Sequence, residues 1–307
     1  MSKTLGGATF AWNAISQDYS IIECLECIYE LCDEVCVVFG GNDGTVDLIN
    51  KWILSKAYGK NIYYLVISQA EWDAQQGREK LSYFSNIAIA NLETDYFFYL
   101  QADEILHEDS FQYVREAIEQ DQEGFYCRRI NLWSCPYTAL NVPHHRKPVS
   151  TEVLRLAKKQ YQCVDDAESV FAPNPNTDYL DKIRIYHVGF VRDKHKHLVK
   201  IKHIQEDIFL FGEADKRIHD CVDGFDPWKF GFGIKDVEPI TEKLPKFIQQ
   251  WASEREVDPF KYTKDGIVLS YDFLALFGHL MTFPITEERI VNEANKLWWM
   301  WAKQFQK

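Results

Sequence analysis

An α/β fold, with a mixed but mainly parallel sheet and helices on both faces, is the class this sequence predicts. Three observations predict it. Short, continuous apolar runs such as VCVVF (35–39) and YFFYL (96–100) have the composition of strands buried on both sides. Amphipathic helical patterns separate successive runs, the spacing that specifies crossover connections and parallel pairing. The last run opens directly into the acidic segment QADEILHED (101–109), and the carboxyl end of such a strand is where an open α/β sheet binds ligand.

Taken in order, Thr4 to Ala11 reads as a strand, Ser20 to Leu31 as a helix and Glu34 to Phe39 as a strand. Thr45 to Ala57 follows as a helix, Asn61 to Val66 as a strand and Gly77 to Asn91 as a helix. Tyr96 to Leu100 closes the alternating series as a strand, and Phe111 to Gln120 is a helix that Asp109 or Ser110 would cap. The pattern then changes. GFYCRRINLW (124–133) reads as a strand, PYTALNVPHHRKP (136–148) as a proline-punctuated loop, and STEVLRLAKK (150–159) and KIRIYHVGFVR (182–192) as further strands. From Lys194 the chain reads as helices. The last carries Ile285, Ile290, Leu297, Trp298 and Trp301 on one broad apolar face, suited to core packing or a dimer interface. The expected division is a catalytic domain over 1–190 and a helical C-terminal extension over 191–307.

Composition narrows the function classes. Hydrophobic residues make up 46% and aromatics 15%, a globular composition with many large anchors. No stretch approaches the ~20 apolar residues of a membrane span, and the N-terminus shows no signal-peptide pattern, so a cytoplasmic protein is expected. A net charge of −12 opposes broad electrostatic binding to nucleic acid. The local exceptions are Arg192 to His203 and His144 to Lys147. Cys24, Cys27, Cys32 and Cys36 sit inside a helical pattern and a strand, which favours buried thiols over a zinc site.

The chemistry-bearing constellation is the acidic segment. Carboxylates this close together repel unless a cation or proton offsets them, which suits a divalent metal. As ordinary structure, the same residues would be a solvated strand end opening a helix. FGGNDGT (39–45) is a glycine-rich turn between a strand and a helix, where backbone approaches a ligand closely and the helix start favours an anion. It is neither a dinucleotide fingerprint nor a P-loop. Asp43 could equally stabilise the turn.

These pieces occur in a familiar order: a polar-tipped first strand (Phe10 to Asn13), GGNDGT, an asparagine-bearing helix (Ser85 to Ala90), and a hydrophobic strand ending QADE. Over roughly residues 4–190 the chain resembles an inverting family-2 glycosyltransferase of the GT-A fold, a Rossmann-like nucleotide-diphospho-sugar transferase. The QADE segment followed by leucine and His-Glu, and Tyr186-His187-Val188-Gly189, add to the resemblance. It implies that Asp103 takes the second acid of the family's Asp-x-Asp motif, with Gln101 and Ala102 in its first two positions. Glu104 would reach metal or sugar hydroxyls. Asp43 and Asn86 match the family's glycine-turn aspartate and helix asparagine, and Phe10 and Asn13 its first strand tip. His187 would complete the metal site with Asp103, holding manganese or magnesium. Gln101 replaces the motif's first acid, and Val38 and Phe39 occupy the stretch where an aspartate usually reads uracil.

Sugar transfer needs cations for the leaving diphosphate and a base for the acceptor hydroxyl. Arg78, Lys80, Arg192 and Lys196 are the candidate cations. Glu152 is the preferred base, ahead of Asp166 and Asp165, with pairing to Arg155 as the structural alternative for Glu152. The histidine pairs His144-His145 and His195/His197 read as loop and helix-face polarity. The expected partners are a nucleotide-sugar donor and a glycan or other hydroxyl acceptor. A hydroxylated base in DNA is a further acceptor class, hinted at only by the basic segments. The rivals are a nucleotidyltransferase, whose lysine-containing glycine signature LGGATFAWN lacks, and a non-catalytic binding module, which Gln101 permits.

Overall fold

The protein is described here by a computed structural model, in residues 2–133, 135–140, 150–192, 196, 200, 237–254, 260–263 and 266–269. The histidine pairs, His203, Lys147 and the predicted helix bearing Trp298 and Trp301 lie outside these residues.

The first half alternates as predicted. Strands β1 (Leu5–Trp12), β2 (Glu34–Gly40), β3 (Asn61–Ile67) and β4 (Tyr96–Tyr99) are separated by helices α1 (Ile21–Leu31), α2 (Thr45–Ser55), α3 (Gln69–Ala74) and α4 (Glu79–Ala90). The four strands lie side by side in the order β3-β2-β1-β4, all parallel. Side chains alternate across the strands, so the continuous apolar runs feed two cores. Val35, Val37 and Phe39 face one core with Cys24, Leu25 and Ile28 of α1; Cys36 and Val38 face the other with Phe84 and Ala88 of α4.

Beyond β4 the sheet turns antiparallel. After β5 (Glu104–Leu106) and α5 (Phe111–Glu119) come β6 (Gly124–Trp133), β7 (Cys135–Leu140) and β8 (Glu152–Lys158). β8 pairs with both β4 and β6, and β6 with β7. A β9 (Gln162–Val164) and β10 (Ser169–Phe171) hairpin follows. β11 (Arg184–Phe190) then runs parallel to β6 and antiparallel to β5. The sheet is therefore mixed, with a parallel core and helices on both faces.

Two predicted elements before residue 190 differ, and the stretch past Lys194, expected to be helical, carries strands at 237–239, 260–263 and 266–269. The loop expected over 136–148 starts as strand β7, because Ala139 pairs with Leu132 and Cys135 with Trp133 of β6 across a register shift, and Pro136 sits beside that irregularity. The helix expected over 77–91 is preceded by a separate turn of helix, α3, which Ser68 and Glu71 close with a reciprocal capping box. Past β12 (Val237–Pro239), which pairs with β7, Leu244, Ile248 and Trp251 pack into the α1 core, the last within the short helix α6 (Gln249–Glu254). A hairpin of β13 (Phe260–Thr263) and β14 (Gly266–Leu269) completes the described chain.

Cys24, Cys27, Cys32, Cys36, Cys127 and Cys163 are free and buried. Burial pushes the Cys32 and Cys36 thiols up to about 12, which makes them inert at neutral pH. Among the described residues, no helix is long and apolar enough to cross a membrane.

Candidate functional site

β1 connects to β2 on one side, while β4 returns to its other side. The carboxyl ends of β1 and β4 therefore flank the point where strand order reverses, the usual crevice for a ligand in an open α/β sheet. A β-turn closes β4 there, with Glu104 N donating to Gln101 O at 2.9 Å. That turn presents Asp103.

Asp103 is buried and meets two groups. His187 Nε2 lies 3.5 Å from Asp103 Oδ2, and Lys200 Nζ donates to the same oxygen at 2.8 Å. His187 comes from β11, where register places it opposite Glu104 of β5 and Asn131 of β6. The ring is oriented by Asn131, whose Oδ1 lies 2.9 Å from Nδ1. With Nδ1 held by that amide, the ring turns Nε2 toward Asp103. Burial lowers the His187 pKa, which favours the neutral form even against the pull of Asp103. Burial also opposes ionisation of Asp103, but Lys200 and His187 outweigh it and hold the carboxyl well below its ordinary range. Burial pulls Lys200 down to about 8, Asp103 opposing and Arg192 assisting.

Gly189 makes this convergence possible. A Cβ there would lie 2.4 Å from His187 Nε2, 2.6 Å from Asp103 Oδ2 and 2.8 Å from Lys200 Nζ. Three functional atoms meet over one missing side chain. Behind them, Lys200 and Arg192 both sit over the Tyr19 ring, at 5.2 and 5.6 Å from its centroid. Lys196, which like Lys200 has helical backbone, donates to Asp18 at 3.1 Å.

The neighbouring acid, Glu104, has a different fate. Arg155 grips it through Nε–Oε2 at 2.9 Å and Nη2–Oε1 at 2.8 Å, and Arg129 approaches at 3.4 Å. Arg129 also pairs with Glu168. Burial would raise the Glu104 pKa, but the two guanidiniums hold it below its ordinary 4.5. Both carboxylate oxygens are thus taken up, which corrects the expectation that Glu104 reaches a metal or a sugar.

Several other predicted site residues have partners within the protein. Asn86 donates to Cys163 O at 3.0 Å and accepts from Cys163 N at 2.7 Å, tying α4 to β9 as a strand edge would. Phe10 stacks on Trp72 and Phe84 inside the second core. Asp43 accepts from Ser16 N at 2.7 Å and, through its other oxygen, from Thr45 N at 3.0 Å. It thereby supplies the negative charge at the start of α2 that an anionic ligand was expected to provide. Asn13, at φ 51°, accepts from Asn42 N at 2.9 Å, and a Cβ on Gly41 would lie 2.2 Å from its Oδ1. The glycine turn is a clasp between the β1 and β2 tips.

The candidate cations also have defined places. Arg78 pairs with Asp165 at 3.3 Å on the surface, and Lys80 is buried with its Nζ 4.3 Å from the Trp72 ring centroid. Arg192 donates to Gln17 O. With Lys196 and Lys200 bound to Asp18 and Asp103, the described part of the predicted basic patch is matched by the protein's own acceptors.

Of the candidate bases, Glu152 stands exposed at the start of β8, and its expected partner Arg155 is bound to Glu104 instead. Asp166 is half-buried in the β9–β10 turn. Burial first, then Glu168, raises its pKa. Asp165 and Ala167 on either side have φ of 50° and 59°, strained values for residues with a side chain. Arg155 holds this turn through Ala167 O at 3.1 Å and through Glu168 O, and Gln101 Nε2 reaches Ala167 O at 3.3 Å. Gln101 thus links the Asp166 turn to the Asp103 turn.

Asp103 and His187 offer two donors to a divalent cation. Among the described residues, no three His, Cys, Asp or Glu side chains converge as a metal site. The third group at this point is itself a cation, Lys200, bonded to the carboxylate a metal would use. The residues as arranged do not fit the expected manganese or magnesium.

Lys200, Asn131, Arg129 and Tyr19 were not anticipated. Arg192, Lys196 and Lys200 recur every four residues, a helical face of cations, and Arg129 and Asn131 are polar at alternate positions of a strand.

No protein-family model and no curated protein matches the chain. Among solved structures, it is similar to S. aureus TarS 1-349, with a TM-score of 0.36, 10% identity, and coverage of 74% of this chain and 77% of that one. The complex of TarS 1-349 with UDP matches at a TM-score of 0.36 and 10% identity, covering 87% and 96%. The 4-diphosphocytidyl-2C-methyl-D-erythritol synthase of Anaerococcus prevotii matches at 0.34 and 9%, covering 67% and 100%. These likenesses are too distant to carry chemistry across.

Proposed function

We propose that this chain is a glycosyltransferase that moves a sugar from a nucleotide-diphosphate donor to a hydroxyl acceptor. One observation carries the reading: a buried carboxylate, an oriented neutral imidazole and two cations converge where the sheet's strand order reverses. Such a crevice suits a polar, polyanionic ligand with a nucleotide. Asp103 and His187 face the sugar diphosphate, and Lys200 and Arg192 offer the charges it needs.

Asp166 is the preferred general base, in place of Glu152. Its raised pKa lies nearer to the operating pH of a base, and Gln101 and Arg155 fix its turn beside the Asp103 turn. In the step, the acceptor oxygen bonds to the anomeric carbon, its proton passes to Asp166, and the electron pair of the breaking C–O bond leaves with the diphosphate.

The test is a thermal-shift screen of uridine, guanosine, cytidine, thymidine and adenosine diphosphate sugars, followed by assay of diphosphate release. Asp166→Asn should lower turnover by about 10²–10⁴-fold and leave donor affinity unchanged. Stabilisation by no donor would sink the reading.

A further inference from the structure

We propose that Lys200 is the resident cation of this site and takes the place of a divalent metal in stabilising the departing diphosphate. The inference rests on the transferase reading and deepens it.

Position comes first. Nζ is 2.8 Å from Asp103 Oδ2 and 3.3 Å from Gly189 O, and the Gly189 vacancy sets it beside His187 Nε2 as well. This is the spot where an ion held by Asp103 and His187 would sit. Ammonium and metal cannot share it without strong repulsion.

Charge balance comes second. With Gln101 in the motif's first position, Asp103 is the carboxylate that this turn offers the crevice, and Glu104 is neutralised by Arg155. Lys200 is the cation bonded to the Asp103 carboxylate, and Arg192 lies over the same Tyr19 ring. A divalent cation placed beside the ammonium would be repelled by it, whereas a diphosphate would be attracted.

Chemistry comes third. As the bond from the anomeric carbon to the diphosphate breaks, its electron pair stays on the β-phosphoryl oxygen. An ammonium within hydrogen-bond distance stabilises that charge and keeps its own proton, so the products are glycosylated acceptor, nucleoside diphosphate and the proton on Asp166. Neither oxidant nor metal is needed for the balance.

The test uses the full chain, stripped with EDTA, and calorimetric titration of nucleoside mono- and diphosphates, with Mn²⁺ alone as a separate titrant. The wild type should bind one nucleoside diphosphate equally well in EDTA and in Mn²⁺. Lys200→Met should lose at least about ten-fold of that affinity while the matching monophosphate is little affected, and Lys200→Arg should recover much of it. A wild-type requirement for Mn²⁺ would overturn the proposal without any variant. So would undiminished diphosphate affinity in a folded Lys200→Met. Both outcomes leave the transferase reading intact, whereas absence of diphosphate binding with and without Mn²⁺ overturns both.

Discussion

Asp103 and Glu104 are consecutive, buried and charge-paired, yet they belong to two different regions. Glu104 looks into the sheet and is clamped by arginines from β6 and β8. Asp103 looks into the crevice and is held by a lysine and a histidine. A guanidinium stays charged at any ordinary pH and matches a carboxylate fork for fork, so the first pairing is permanent. A lysine pushed down to about 8 and a neutral imidazole can release, turn or share their partner. One region fixes geometry; the other is left able to react.

The sharpest way to break this comparison is Glu104→Gln. It leaves Arg155 buried without its counter-charge and should cost about 3–5 kcal/mol in denaturant unfolding. Its pH profile should change too. Because the folded-state pKa of Glu104 is depressed, its contribution is fully present above 4.5 and is lost as pH falls below that value. The acid-side loss of wild-type stability should be smaller in the variant.

Asp103→Asn should cost less, about 1–3 kcal/mol, because Lys200 can shed its proton and the amide oxygen still accepts. Its main effect should be on nucleoside diphosphate binding. A stability loss as large as that of Glu104→Gln would show that the two regions are alike after all. Gly189→Ala probes the same crevice by volume. Its methyl would enter the space shared by three functional atoms, and a cost of about 1–3 kcal/mol with impaired diphosphate affinity is expected. The smallest effect should come from Asn86→Ala, about 1–2 kcal/mol from two lost bonds to Cys163, with ligand affinity unchanged. A loss of affinity there would return Asn86 to the site.

Much of the fold was legible because it rests on local pattern. VCVVF and YFFYL are apolar on both faces, and the structure buries both faces. Even the unanticipated α3 had a visible signature, the Ser68-Gln-Ala-Glu71 capping box. The site was legible only in part. Asp103 and His187 stand out by residue type, and the structure brings them within 3.5 Å. What could not be read was which neighbour each carboxylate would take. Glu152 and Arg155 are three apart in a strand and so lie on opposite faces, while Arg155 finds Glu104 across two elements. Asp43 and Asn86 have the residue types of ligand contacts, but their hydrogen bonds run to Ser16, Thr45 and Cys163. Pairings of this kind are settled by the packing of the sheet.

The partners of the Asp103–Glu104 turn are far apart along the chain. Arg155 is 51 residues from Glu104, Asn131 is 56 from His187, and Lys200 is 97 from Asp103. During synthesis, the parallel strands β1 to β4 can assemble while Asp103 still lacks His187 and Lys200. The acidic turn remains an unpaired, solvated loop until β6, β8 and β11 have docked, and its cation arrives last. Each such closure costs chain entropy before any ion pair forms, so the site should be completed cooperatively and late. A growing polypeptide of this sequence would therefore lack the assembled Asp103–His187–Lys200 cluster until residue 200 had been made.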